Sequence, residues 1–123
     1  MMHMAEEEKH EGHKHDEDDP NVLVAQFQLM QQQLQQILMQ KESLAFASME
    51  VDRAVEELDK SKDAEAYKIT GTIMVRKPVT ELKKELAESK EELEVRMKSM
   101  ESAEKRFTDK LKELQEKLKS LIK

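Results

Sequence analysis

Three histidines, His10, His13 and His15, stand close enough in the sequence to touch one metal ion. Imidazole nitrogens suit zinc, copper and nickel, but a selective site needs a rigid frame and a complete ligand set. The surrounding stretch supplies neither, so we expect weak, indiscriminate contact and no resident metal. There is no cysteine, which removes thiolate ligands, thiol nucleophiles and disulfides. Gly12 and Gly71 are the only glycines and lie far apart, so no phosphate-cradling loop or nucleophile elbow can be composed. The many carboxylates alternate with Lys and Arg, as they do on solvated helix faces. No catalytic residue and no cofactor are expected, and the chain reads as a non-enzyme.

The chemistry left open is non-covalent. Val22, Leu23, Val24 and Phe27 gather near the start of the patterned sequence, and Leu118, Leu121 and Ile122 near its end. A second group, Tyr67, Ile69, Ile73, Met74 and Val75, surrounds Gly71 and Thr72 midway. The elements that carry these groups decide whether they meet.

Composition limits those elements. In 123 residues 39% are charged and 3% aromatic, too few large apolar side chains for an ordinary globular core, so the core must be a thin seam. The net charge of -6 is uneven: Glu6, Glu7, Glu8, Glu11, Asp16, Glu17, Asp18 and Asp19 face only Lys9 and Lys14 before Pro20, and the remainder is balanced. A balanced body with an acidic tail lacks the basic face that nucleic-acid binding uses. No apolar run approaches the roughly 20 residues of a membrane span, and the lack of cysteine fits a cytoplasmic protein.

Residues 1–19 bury too little to offset the entropy of ordering and are read as a disordered acidic tail. Asp19-Pro20 then supplies a helix cap and a first-turn proline. Leu23, Met30, Ile37, Leu44, Val51 and Leu58 form an unbroken apolar heptad series, and Phe27, Leu34 and Val55 a second one interrupted by Lys41 and Ser48. This predicts a coiled-coil helix over 20–61. Residues 62–77 change character: β-branched and aromatic side chains flank a glycine, which reads as two short strands joined near Thr70-Gly71. A second helix is expected over 78–123, with Val79, Leu86, Leu93, Met100, Phe107, Leu114 and Leu121 as its unbroken series. Its companion series is Leu82 and Ser89 early but Met97, Leu111 and Leu118 later, so the seam should shift by one residue near Leu93.

Two equal amphipathic helices on one chain bury their stripes most simply by doubling back. The expected fold is mainly α: a long antiparallel two-helix coiled coil with a short β-hairpin at its base, roughly 60 Å long at about 1.5 Å per residue. Both chain ends then share one tip, where fraying exposes Val22, Leu23, Val24, Phe27, Leu118, Leu121 and Ile122. A lone two-stranded hairpin is marginal in water, so Tyr67, Ile69, Gly71, Thr72, Ile73, Met74 and Val75 should pair with other copies or subunits. Polar seam positions Lys41, Ser48, Ser89 and Arg96 predict a flexible waist. The acidic tail should also emerge beside Lys105, Arg106, Lys110, Lys112, Lys117, Lys119 and Lys123, and compete there with other ligands.

The segment Tyr67-Lys68, then Gly71-Thr72 before Ile73-Met74-Val75, between two equal heptad helices, resembles the beta-class subunits of prefoldin over residues 21–123. The resemblance implies a hetero-hexamer with an alpha-class subunit, two alpha and four beta, whose β segments form the base. It implies that the coiled-coil tips hold unfolded client proteins without ATP and deliver them to a group II chaperonin, with no nucleic-acid or membrane partner. The acidic stretch before Pro20 lies outside that pattern. Two alternatives are a structural coiled-coil adaptor without chaperone activity and a parallel homodimeric rod.

Overall fold

The computed structural model describes residues 19–122. Helix α1 spans Pro20–Lys60, strands β1 and β2 span Glu65–Thr70 and Ile73–Pro78, and helix α2 spans Val79–Ile122. This is the antiparallel helix pair with an intervening β-hairpin that the heptads and the middle segment predict. The acidic tail and its three histidines lie outside the described residues.

Local chemistry sets each boundary. The Asp19 carboxylate accepts a hydrogen bond from the Asn21 amide at 2.8 Å, and its carbonyl accepts the Leu23 amide at 3.0 Å, so Asp19 is an N-cap with Pro20 at the first helical position. At the other end of α1 the Ser61 amide still donates to the Glu57 carbonyl, and the Ser61 hydroxyl then takes the Asp63 amide in a local turn. β1 and β2 pair antiparallel with Thr70 opposite Ile73, which leaves Gly71-Thr72 as a two-residue loop. Gly71 has φ 61° and Thr72 a negative φ, the pattern of a type II′ turn whose twist matches the strands. A Cβ at Gly71 would meet nothing within 4 Å, so conformation and not space demands glycine there. Pro78, lacking an N–H, closes β2, and the Val79 amide opens α2 while donating to the Ala64 carbonyl.

The chain falls into two compact units, one made of the residues up to Leu38 and from Ser102 onward, the other of Met39–Glu101. In the first unit Leu23 and Leu114 are 1% exposed and Ile37 is buried with them. In the second, Val79 and Leu82 are buried, and Asp52 pairs with Lys90 at 2.7 Å and Asp59 with Lys83 at 2.6 Å. Rising numbers on α1 meet falling numbers on α2, which is antiparallel packing. Lys41 and Ser48, polar members of the α1 seam, are half-buried like their apolar neighbours. On α2 the seam takes Leu82 and Leu86 and then Lys90, Leu93 and Met97, while Ser89 is exposed. The one-residue shift therefore falls between Leu86 and Lys90, one turn before Leu93, because Lys90 can lay its methylene stem in the seam and carry its charge out to Asp52.

Candidate functional site

Sequence reasoning marks the hairpin and the helix ends. In the hairpin, alternation puts Tyr67, Ile69 and Met74 on one face with Arg76, and Lys68, Val75 and Ile73 on the other with Ala66 and Lys77. Only Ala66 and Lys77 are half-buried. Tyr67, Ile69, Ile73, Met74 and Val75 are all exposed, Ile69 at 73%. The sheet has two strands, so each keeps an unpaired edge.

A single carboxylate ties this exposed sheet to α2. Glu85 accepts Lys68 from β1 at 2.8 Å and Lys77 from β2 at 2.7 Å, one lysine on each oxygen. These hydrogen bonds, from Lys68 first and Lys77 second, hold the Glu85 carboxyl down at about 2. The bond to Glu85 in turn holds the Lys77 ammonium above its ordinary range, with Glu81 at 3.8 Å adding its charge. Arg76 and Glu65 form a further pair across the strands at 3.3 Å. Beside the clamp lies an apolar cleft of about 360 Å³, lined by Leu58 and Ala54 of α1, Leu82 and Leu86 of α2, and Tyr67. Sequence reasoning missed Glu85. The available signal was the pair Glu81 and Glu85, which helical spacing puts on one side of α2, four and eight residues after Lys77 at the end of β2.

At the Pro20 end of α1 and the Ile122 end of α2 the sequence candidates divide. Leu23 is fully buried, and Val22, Phe27 and Leu118 are half-buried. Val24, Leu121 and Ile122 are exposed, Ile122 at 81%. The exposed apolar surface there is the second set, and Leu23 lies covered in the seam. Lys105 pairs with Asp109 and Lys110 with Glu113, so part of the basic charge of α2 is met on its own helix. Among the described residues no group of three or more His, Asp or Glu side chains is placed to hold a metal ion, and no helix is long and apolar enough to cross a membrane.

An exposed hairpin between two seam-packed helices narrows the field, and residues 21–123 match the family described as prefoldin subunit. The chain belongs to the prefoldin subunit family. The prefoldin subunit beta of Methanospirillum hungatei JF-1 is 46% identical over 56 residues, 45% of this chain, and the match spans about half (47%) of that relative's length. The crystal structure of the prefoldin beta subunit from Thermococcus strain KS-1 is similar with a TM-score of 0.76 and 33% identity, covering 83% of this chain and 90% of that one. The beta-class resemblance is thus matched in sequence and in fold. In prefoldin terms, the described elements place the hairpin group on one small sheet and bring Leu23 and Leu114 into the core of one unit.

Proposed function

We propose that this chain is the beta-type subunit of an ATP-independent chaperone. It assembles through its hairpin with alpha-class subunits, in a hetero-hexamer of two alpha and four beta chains. It holds non-native proteins at its helix ends and hands them to a group II chaperonin in the cytoplasm. The observation that carries this reading is the hairpin: Tyr67, Ile69, Ile73 and Met74 stand exposed on a two-stranded sheet with both edges open, a surface that is stable in water only when further strands cover it. Membership of the prefoldin subunit family supports the rest.

At the helix ends, Val24, Leu121 and Ile122 make the first contact, and Val22, Leu23, Phe27 and Leu118 join as the last turns fray. One side chain buried by a client contributes at most about 1.5–3 kcal/mol, so a single chain holds weakly. Several chains on one base add avidity while each contact stays reversible. Nothing in this cycle needs a catalytic group.

The deciding experiment mixes the chain with an alpha-class partner and follows aggregation of a denatured model protein without nucleotide. Suppression that ends when a group II chaperonin with ATP takes up the client is the expected result. Full assembly with no suppression would instead favour a coiled-coil adaptor.

A further inference from the structure

The side of α1 opposite the seam carries an apolar surface that neither the hairpin nor the helix ends explain. Seam positions of α1 follow the series through Leu44 and Ser48, and Met39 and Phe46, one heptad apart, fall on the far side, with Met49 one turn beyond Phe46. All three are exposed, Phe46 at 61%. The other two phenylalanines, Phe27 and Phe107, are half-buried. A solvated helix face has no need of phenylalanine, which is a poorer helix former than the Glu, Gln and Lys around it. Glu42 and Glu50 sit one turn before and one turn after Phe46, both exposed and neither ion-paired among the described residues. Arg53 bounds the stripe one heptad beyond Phe46. The outer face of α2 repeats the combination in smaller form, with exposed Val95 beside Glu88, Glu91 and Glu92 and with Arg96 at its edge.

We infer that Met39, Phe46 and Met49 form a docking stripe for segments of foreign polypeptide that mix apolar with basic side chains. Charge selects this occupant. A second copy laid stripe against stripe would bring Glu42 and Glu50 against their own equals, and the chain's own N-terminal stretch is acidic too, so neither supplies the opposite charge. A basic, apolar segment buries the aromatic ring and meets two unpaired carboxylates. The methionines supply a polarizable lining that re-packs around different side chains, as a surface without sequence preference requires. The stripe deepens the chaperone reading above and rests on it: it adds a second contact for a client and states which clients gain from it.

The test uses the full chain assembled with its alpha-class partner, and labelled peptides of equal length built from Leu and Lys, from Leu and Glu, and from Ser and Lys. The Leu/Lys peptide should bind best, and F46S with M49S should weaken it about five- to thirty-fold. E42Q with E50Q should narrow the gap between the Leu/Lys and Leu/Glu peptides. Circular dichroism checks that the variants keep their helix content. Unchanged Leu/Lys affinity in F46S/M49S overturns the stripe, and so does equal binding of the Ser/Lys peptide. A drop in assembly size in F46S/M49S also overturns it, since the occupant is then a second copy. V24S with I122S separates the two readings. If that variant loses client capture while F46S/M49S keeps it, the chaperone reading stands and the stripe fails. If wild-type protein suppresses no aggregation yet binds Leu/Lys peptide through Phe46, the stripe stands without the chaperone.

Discussion

At the hairpin the apolar side chains stand in water on a frame held by ion pairs, whereas at the Pro20 end of α1 and the Ile122 end of α2 buried leucines anchor neighbours that stay exposed. Ile69 and Met74 stand exposed, and Tyr67 only borders the cleft beside Leu58 and Leu82; the hairpin is held by Lys68 and Lys77 on Glu85 and by the Gly71 turn. Val24 and Ile122 ride on a helix pair whose order comes from Leu23 and Leu114. Oriented apolar surface therefore arises here in two ways, by electrostatic tethering of a sheet too small to fold alone and by close packing of a seam. The two should fail under different perturbations.

The largest effect is expected in the seam. Leu114→Ala removes one of the two most deeply buried side chains and should cost about 2–5 kcal/mol in urea unfolding, while the hairpin amides keep their relative protection. A loss under about 0.5 kcal/mol would mean that order at the helix ends does not come from packing.

Gly71→Ala strikes the hairpin instead. The left-handed φ costs an L-residue about 1–2 kcal/mol, and since the site is open the cost is purely conformational. Assembly with the partner should weaken accordingly, with helix content unchanged, as titration by light scattering would read.

Acid separates the regions without mutation. Glu85 has a folded value of about 2 against an ordinary 4.5, so its clamp stabilises fully above 4.5 and is lost as pH falls toward 2. Hydrogen exchange of β1 and β2 should rise across that window more than exchange around Leu114, and Glu85→Gln should abolish the difference. Equal pH dependence in Glu85→Gln would place the acid response elsewhere.

The smallest effect on stability belongs to V24S with I122S, which should stay within about 0.5 kcal/mol of the parent because both residues are exposed. Capture of a denatured protein should nevertheless fall.

Much of this was legible in the sequence because heptad spacing is redundant. Six apolar residues from Leu23 to Leu58 vote for one seam, so Lys41 and Ser48 could be counted into it although both are polar. Gly71 marked its turn for a local reason, a positive φ that few other residues adopt. The seam shift was legible only to within a turn of Leu93, because apolar patterning overlooks a lysine whose stem packs and whose charge leaves, as Lys90 does toward Asp52. The Glu85 clamp was hidden because it joins residues 17 and 8 positions apart across three elements; the spacing of Glu81 and Glu85 after Lys77 hints at half of it, but nothing local reports Lys68. At the helix ends the candidates were named as one group, but which of them are exposed depends on packing, not on residue type.

Native mass spectrometry of the chain with an alpha-class partner, comparing the parent with Ile69→Asp/Met74→Asp, tests most directly whether the exposed hairpin is an assembly surface. The parent should form a discrete complex of several chains, and the variant, whose helices are untouched, should remain dissociated. A parent that stays monomeric beside its partner, or a variant that assembles equally well, would contradict the account.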